Sequence, residues 1–224
     1  MGGSNTLIAG VSSNDVDLND IAADIRKRFD AKSAAREKGL PASRNAIRHC
    51  ANSIRAVHRG EMAAACILQA QARAELDVAQ EAMRPFPDVY HAGFLHDAEK
   101  EYAEALGTYA IINGDGVPTP EQAGVGDAAY LNGLSEVIGE LRRHLLDIIR
   151  HGDIARGEEL LQAMDDIYYI LVTMDYPDAI TGGLRRSTDV ARSIMERSRG
   201  DLSITIVQRG VQEAIERARK SFES

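Results

Sequence analysis

A helical period of about 3.6 residues runs through almost the whole 224-residue chain, and no segment alternates apolar and polar residues as a strand does. The composition, rich in Ala, Leu, Ile, Arg and Glu and with only 5% aromatic residues, is also typical of helical proteins. The chain is long enough to bury one core. The sequence therefore predicts an all-α protein, folded as a single-domain bundle of about seven to eight helices.

Gly, Pro and short turn sequences divide this pattern into eight predicted helices. They span about residues 16–38, 43–59, 61–84, 87–112, 127–151, 154–173, 179–199 and 201–220. The longest loop, residues 113–126, is rich in Gly and Pro and offers little that could pack. Residues 1–15 are expected to form a flexible N-terminal segment, followed by an all-helical domain over residues 16–224.

Charge and hydropathy exclude several classes of protein. No apolar stretch approaches the roughly 18–20 residues of a membrane helix, and the N-terminus lacks the pattern of a signal peptide. The sequence thus predicts a soluble, cytoplasmic protein that does not contact a membrane. The formal charge of −8 argues against a surface that binds nucleic acid everywhere, but it is compatible with a local basic patch.

Two predicted helices each carry a stripe of acidic residues beside the apolar face, because successive helical residues advance by about 100°. The first stripe holds Asp97, Glu101 and Glu104, and the second holds Glu136, Glu140 and Asp147. Carboxylates from two antiparallel helices are the hard ligands that Mg²⁺ and Mn²⁺ prefer, and such an ion can polarise a phosphoryl oxygen. Acidic residues on helices also commonly face solvent, so spacing alone leaves a metal site and a solvated face both open.

A third stripe, on the helix predicted at 43–59, is basic. It consists of Arg44, Arg48, Arg55 and Arg59. Steps of 4, 7 and 4 residues place all four within about 60° of one another. A row of guanidinium groups can bind a phosphate backbone, but it can equally form a solvated face with salt bridges. A weaker version of this pattern, with a step of seven residues, is formed by Arg185, Arg192 and Arg199.

The histidines and cysteines do not indicate a functional site more strongly than the acidic and basic stripes do. No Glu precedes a His in the E-x-x-H spacing of di-iron bundles, so ferritin-like iron chemistry is not expected. His144 falls on the same side of its helix as Glu136 and Glu140, where it could contact the site or face solvent. Cys50 and Cys66 lie sixteen residues apart without a C-x-x-C motif and are expected to be buried free thiols. The chain also lacks a P-loop, a dinucleotide fingerprint and a nucleophile elbow.

Four segments resemble the translin and translin-associated factor X family, particularly its archaeal members. YLNGLSEVIGELRRHLLDIIRHGDI (130–154) resembles the family's fifth-helix segment, and EKEYAEA (99–105) resembles the E-Y-x-E-A run of the X-type subunit. LRRSTDVARSIMERSRGDLSITIVQRG (184–210) resembles the C-terminal stretch, and SIRAVHRGE (53–61) resembles the archaeal N-terminal pattern. The four segments occur in the family's order and cover roughly residues 40–210.

The resemblance implies a translin-like α-α superhelix of about seven helices, assembled into hollow homo-oligomers that are often octamers. Family members bind single-stranded RNA and DNA, and the X-type subunits are Mg²⁺-dependent endoribonucleases. Carried over by position, Glu101, Glu104 and Glu136 would be the metal ligands, with Mg²⁺ or Mn²⁺ as the ion. Glu140 would be a further ligand or a base. The X-type pattern has Asp where this chain has Glu136, whose side chain is one methylene longer, and Mg²⁺ tolerates little change in ligand geometry.

Three functions follow as alternatives. The first is an oligomeric, Mg²⁺-dependent endoribonuclease that acts on single-stranded RNA, with the arginine row positioning the strand. The second is a non-catalytic oligomer that binds single-stranded nucleic acid. The third is an all-α nucleoside triphosphate pyrophosphatase, because those enzymes also place E-x-x-E before a second acidic pair. Their second pair is typically E-x-x-D, whereas this chain has E-x-x-x-E, and the family-like C-terminal segment would be unexplained.

Overall fold

The computed structural model describes residues 17–222, which form nine helices and no strand and so confirm the predicted all-α fold. The predicted flexible segment, residues 1–15, lies outside this described part of the chain. The helices are α1 (Leu18–His58), α2 (Met62–Met83), α3 (Pro87–Tyr90), α4 (Phe94–Asn113), α5 (Pro120–Ala123), α6 (Asp127–Arg150), α7 (Ile154–Thr173), α8 (Asp178–Thr181) and α9 (Leu184–Phe222).

The first two predicted helices are in fact one. α1 continues through Pro41, so the predicted break at residues 38–41 is wrong. A proline in a helix interior costs about 3 kcal/mol, because it cannot donate its backbone hydrogen bond. Pro41 is exposed, however, and the neighbouring Gly39 packs so closely on α2 that a Cβ atom there would lie 2.6 Å from the Sδ of Met83. We attribute the continuity of α1 to this packing against α2.

Three glycines explain the other differences in helix boundaries. α9 runs through Gly200 as one helix of 39 residues, although a break is predicted there. An isolated glycine costs a helix only about 1 kcal/mol, and the buried Ser198 and Leu202 hold this helix on both sides of it. By contrast, the helix predicted at 87–112 is split before α4, because Gly93 has a left-handed backbone with φ of 94°. Gly182, with φ of 63°, likewise separates α8 from α9.

Two apolar clusters form the core. The first lies among α1, α2 and α4 and includes Cys50, Leu76, Met83, Leu95 and Tyr102. The second lies mainly among α6, α7 and α9 and includes Leu141, Leu145, Leu160, Met164 and Met195. Cys50 is buried as predicted, but Cys66 is exposed, because it follows the buried Ala65 and so points about 100° away from it. None of the helices within residues 17–222 is long and apolar enough to cross a membrane.

The loop between α4 and α6 is held against α2. Its short helix α5 begins with a capping box formed by Thr119 and Gln122, and Ala123 is buried. Arg73 of α2 donates hydrogen bonds to the carbonyl oxygens of Ala123 and Gly124 at 2.9 and 3.1 Å. The prediction that this loop has little to pack is therefore wrong, since its backbone carbonyls supply the contacts.

Candidate functional site

α4 and α6 approach each other closely because two glycines face the opposite helix. A Cβ atom at Gly133 of α6 would lie 2.6 Å from the carbonyl oxygen of Lys100 and 2.7 Å from the Cβ of Ala103. A Cβ atom at Gly107 of α4 would lie 2.9 Å from a methyl carbon of Val137. Any larger residue at these two positions would push the helices apart. The glycines therefore set the short distance between the polar edges of α4 and α6.

Three carboxylates meet at this contact. Glu101 and Glu104 extend from α4 and Glu136 extends from α6, and one oxygen of each lies within 4.8 Å of the other two. Glu104 is buried, whereas the other two are partly buried. Two oxygens on opposite sides of one Mg²⁺ ion lie about 4.2 Å apart, so a small contraction would let the three share an ion. The structure thus brings together the three residues that the sequence analysis assigns as metal ligands.

Burial and mutual repulsion raise the pKa of two of these carboxyl groups. Burial is the largest cause for Glu104, whose pKa rises to about 8. The negative charges of Glu101, Glu136 and Glu140 raise it further. Burial is also the main cause of the raised pKa of Glu101. At neutral pH the cluster therefore holds a proton on Glu104, which a bound cation would displace.

Lys100 is a member of this cluster that the sequence analysis missed. Its Nζ donates a hydrogen bond to Oε1 of Glu136 at 2.6 Å and lies 3.8 Å from Oε1 of Glu101. Burial lowers the pKa of Lys100, but the hydrogen bond to Glu136 and the charges of nearby acids outweigh burial and raise it overall. One ammonium group compensates only part of the charge of three carboxylates. Lys100 adjoins Glu101 in the chain, but nothing local in the sequence shows that it reaches across to α6.

Glu140 lies beside these three carboxylates without joining them. Its Oε2 is 2.5 Å from Nε2 of His58 in α1, and 3.9 Å from a guanidinium nitrogen of Arg143. The side chain of His58 is only 5% exposed, and its Nδ1 has no hydrogen-bond partner among the described residues. The sequence analysis assigned Glu140 to the site but missed His58, whose only signal was its place in the SIRAVHRGE segment. The contact holds the Glu140 carboxylate toward α1.

Three other candidates lie at the edge of the site. The ring of His144 is centred 6.2 Å from that of His58, and burial lowers the pKa of His144, which favours its neutral form. Asp97 is exposed, and its charge contributes to the raised pKa of Glu101. Asp147 is exposed and forms an ion pair at the end of α6, so it extends the acidic row without reaching the three carboxylates.

The arginine row on α1 is exposed along its whole length. Its members are Arg44, Arg48, Arg55 and Arg59. Arg48 and Arg55 donate hydrogen bonds to neighbouring asparagine side chains at 2.9 and 2.8 Å, which leaves their positive charges uncompensated by those contacts. Arg59 instead forms an ion pair with Glu61 at 2.6 Å.

The same helix that carries the arginine row also passes the carboxylates. Burial is the main cause of the raised pKa of the Cys50 thiol, and the charges of Glu101 and Glu104 add to it. Further along α1, His58 contacts Glu140, and Arg55 lies one helical turn earlier on a neighbouring face. α1 therefore contacts the carboxylate site through the face of Cys50 and His58 and carries the arginine row on another, exposed face.

The second basic row packs against α7 and its following turn. Arg199 donates two hydrogen bonds of 2.7 Å to the carboxylate of Asp165. Arg192 donates to the hydroxyl oxygen of Tyr168 at 2.6 Å and lies over its ring. Arg185 lies 3.8 Å from Asp175. These partners give the row a structural role between α7 and α9.

Comparisons with known proteins extend this picture. No protein-family model matches the chain. The uncharacterized protein MJ0175 of Methanocaldococcus jannaschii is 30% identical over 178 residues, which cover 79% of this chain and 78% of that protein.

Solved structures that are similar to this chain give a second comparison. AfC3PO, an archaeal translin-like protein whose structure is known alone and in a complex with duplex RNA, is 32% identical with a TM-score of 0.77. The match covers 84% of this chain and 98% of AfC3PO. Apo-NeC3PO shares the fold, with 19% identity and a TM-score of 0.71 over 85% of this chain and 97% of its own.

Proposed function

The chain belongs to the translin and translin-associated factor X family, and from that premise we propose that it is an oligomeric RNA-binding protein that cleaves RNA with Mg²⁺ or Mn²⁺. The proposed substrate is single-stranded RNA, and single-stranded DNA is a second proposed ligand of an octamer-like assembly. The complex of AfC3PO with duplex RNA supports RNA as the class of ligand. Free Cys50 and Cys66 are compatible with a reducing cytoplasm.

The observation that carries the proposal is the convergence of Glu101, Glu104 and Glu136 at the contact between α4 and α6. A set of three carboxylate oxygens suits Mg²⁺ and Mn²⁺ in both charge and hardness. The raised pKa of Glu104, caused first by burial and then by its acidic neighbours, indicates that the site has too little positive charge nearby. Within residues 17–222 the ammonium group of Lys100 is the cation paired with Glu101 and Glu136, so it compensates only part of the charge of the cluster.

When bound, a divalent ion would polarise a phosphoryl oxygen and lower the pKa of a water molecule at this site. Glu101, Glu104 and Glu136 would hold that ion. Lys100 would remain beside Glu136, where its ammonium group attracts the phosphate of the substrate.

Glu140 would act as the base. Its carboxylate lies outside the three proposed ligands, and its contact with His58 is made by Oε2, so Oε1 would accept the proton. Nε2 of His58, 2.5 Å from Oε2 of Glu140, orients this carboxylate and can share the proton with it. His58 is therefore proposed as a positioning residue for Glu140.

The arginine row would hold the strand. Its guanidinium groups are exposed on α1, the helix whose other face carries Cys50 and His58 toward the carboxylates. Contacts with phosphates give affinity without reading the sequence, so binding is expected to depend strongly on salt. A strand held by Arg44, Arg48, Arg55 and Arg59 would present its backbone to the proposed ion.

A cleavage assay on the purified full chain tests the proposal. Labelled single-stranded RNA, duplex RNA and free nucleoside triphosphates are incubated with Mg²⁺, with Mn²⁺ or with EDTA. Cleavage of RNA that EDTA abolishes supports the proposal, and hydrolysis of the triphosphates alone would replace it with the pyrophosphatase. Glu136→Asp restores the X-type residue and is expected to retain or raise activity, whereas Glu136→Gln should abolish it.

A second candidate, RNA binding without cleavage, is favoured by one observation. Lys100 already forms an ion pair with Glu136 at 2.6 Å, which compensates part of the charge without a metal. The same assay separates the two functions. Binding of RNA that is equally tight in Mg²⁺ and in EDTA, with no cleavage in either, would support this candidate over the nuclease.

A further inference from the structure

One cation that compensates the carboxylate site belongs to the chain itself. The Nζ atom of Lys100 donates a hydrogen bond to Oε1 of Glu136 at 2.6 Å and lies 3.8 Å from Oε1 of Glu101. The side chain of Lys100 is only 22% exposed. Lysine is almost never buried unless its charge is paired, and here both partners are proposed metal ligands. The ammonium group therefore shares its ligands with the proposed ion.

A third acidic side chain also acts on Lys100. Burial lowers the pKa of Lys100, but the hydrogen bond and the charge of Glu136, followed by the charges of Glu101 and Asp97, raise it overall. Asp97 and Glu101 are four residues apart on α4 and so lie on one side of that helix, whereas Glu136 belongs to α6. The ammonium group thus has acidic neighbours on both helices, as a metal ion in a carboxylate site does.

The backbone of Lys100 is fixed where α4 and α6 come closest. Its carbonyl oxygen would lie 2.6 Å from a Cβ atom at Gly133, so α6 has room only for glycine at this point. Glu136 follows Gly133 by three residues, or about one helical turn, which places its carboxylate within reach of the Lys100 side chain. The helix contact that brings the three carboxylates together therefore positions Lys100 as well.

The net charge of this cluster matches one divalent ion. Glu101, Glu104 and Glu136 carry three negative charges when all are ionised, and Lys100 carries one positive charge. One Mg²⁺ or Mn²⁺ ion neutralises the remaining two charges. Asp97 is exposed, so solvent and salt screen its charge. If Lys100 were neutral, a single divalent ion would leave a negative charge at the site, and a second cation would be favoured.

The length of the Lys100 contact also agrees with a site for two cations. A metal ion about 2.1 Å from a carboxylate oxygen and an ammonium nitrogen 2.6 Å from the same oxygen lie about 4 Å apart when the angle at the oxygen is about 120°. The ions of two-metal sites for phosphoryl transfer are about 3.5–4 Å apart, and they hold the phosphate between them. The ammonium group of Lys100 can supply the charge of one of these two ions.

We propose that the ammonium group of Lys100 takes the place of a second metal ion, so that the site binds one divalent ion and presents an ion and a lysine to the phosphate of the RNA. The inference rests on the proposed function and specifies which cations that site uses. One ion binds per chain because Lys100 holds the position of the other. If Lys100 only formed an ion pair between α4 and α6, its replacement would leave the number of bound ions unchanged.

The number of Mn²⁺ ions bound by the full chain, counted by electron paramagnetic resonance, tests the proposal. The wild type and Lys100→Arg should bind one ion, whereas Lys100→Met should bind a second ion at least about tenfold more tightly than the wild type does. Lys100→Gln, which keeps a polar side chain at this partly buried position, should do the same, and circular dichroism verifies the fold. Lys38→Met on the exposed face of α1 is the control and should bind one ion. One ion in both Lys100→Met and Lys100→Gln, or two in the wild type, overturns the proposal.

RNA cleavage at increasing Mn²⁺ gives a second readout. When Mn²⁺ fills one site per chain, Lys100→Met should cleave about 10–100-fold more slowly than the wild type, and it should regain most of the rate as the second ion binds. Glu136→Gln should not regain activity. A Lys100→Met chain that binds two ions without regaining cleavage overturns the exchange of lysine for an ion. A wild type that binds one ion and cleaves RNA, with the same ion count in Lys100→Met, contradicts only this inference, whereas a wild type that binds no ion contradicts the proposed function too.

Discussion

The carboxylate site and the arginine row are the two candidate functional regions, and the fold fixes them in different ways. Each proposed ligand of the carboxylate site is held at a contact between α4 and α6 that Gly133 and Gly107 make unusually close. The arginine row is held by α1 alone and faces solvent. A side chain that two helices position is expected to have one geometry, whereas an exposed arginine has many.

This difference in burial determines what the carboxylate site and the arginine row can each contribute. Burial strengthens electrostatic interactions, so the carboxylates change the pKa of one another and can select an ion of defined charge and size. Exposed arginines interact through water and salt, so they contribute affinity and steering without a fixed geometry. The comparison therefore predicts that a substitution in the site affects chemistry and a substitution in the row affects binding.

The largest effect is expected for Glu101→Gln and Glu104→Gln, which change the carboxylate site and leave the arginine row intact. Each removes one ligand charge with little change in shape, so RNA cleavage should fall by about 100-fold or more. RNA binding, which we propose depends on the arginine row, should change little. The matched control is Glu196→Gln on the exposed face of α9. Loss of RNA binding together with loss of cleavage would mean that the carboxylate site contributes to binding as well as to cleavage.

Reversal of Arg44 and Arg48 to Glu should have the opposite profile. We expect RNA affinity to fall by about 10–100-fold at low salt and the slope of log affinity against log salt to drop by about 1–2. Saturating RNA should restore most of the cleavage rate. Reversal of Arg186 and Arg197 on α9 provides the control for net charge. An unchanged affinity and salt slope would assign the row to a solvated face.

Gly133→Ala tests whether the close helix contact creates the carboxylate geometry. The added methyl group would meet backbone atoms of α4, so the free energy of unfolding should fall by about 1–3 kcal/mol. Separation of the helices should also weaken the binding of Mn²⁺. Gly200→Ala, where a Cβ atom meets nothing within 4 Å, is the control and should stabilise the chain slightly. Equal effects of the two changes would contradict the role given to Gly133.

The remaining expected effect is a pH dependence of stability in the absence of divalent ions. The pKa of Glu104 is about 8 in the folded chain, against 4.5 for an unperturbed Glu, so the folded state binds the extra proton between these values. The free energy of unfolding should therefore decrease as the pH rises toward 8, by at most about 1.4 kcal/mol per pH unit from this group.

The carboxylates of Glu101, Glu136 and Glu140 cause part of this shift and Lys100 opposes it, with burial as the largest cause. Glu104→Gln should flatten the slope in chemical denaturation at a series of pH values, whereas Glu196→Gln should leave it intact. A wild-type slope retained in Glu104→Gln would show that another group titrates.

The sequence predicted those features that depend on one helix at a time. The span 127–151 closely matches α6, and the period of 3.6 residues placed Glu136 and Glu140 beside the core stripe. It could not show that α1 continues through Pro41, because the contact of Gly39 with Met83 joins residues far apart in the chain.

The same limit explains the missed residues of the site. Lys100 pairs with a residue 36 positions away, and His58 pairs with Glu140 across 82 positions. A helix period orients a side chain but does not identify the helix that it faces. The three carboxylates could be predicted because each lies in an acidic stripe and in a family-like segment, whereas no stripe marked Lys100 and only the SIRAVHRGE segment included His58.

The most direct test of metal binding by Glu101, Glu104 and Glu136 is a titration of the RNA-free chain with Mn²⁺, followed by electron paramagnetic resonance. We expect one bound Mn²⁺ ion per chain. The affinity for Mn²⁺ should rise with pH as Glu104 loses its proton. We also expect this affinity to fall by at least about tenfold in Glu104→Gln and in Glu136→Gln. Absence of a bound ion in the wild type, or equal affinity in these variants and in Glu196→Gln, would contradict this assignment of the ligands.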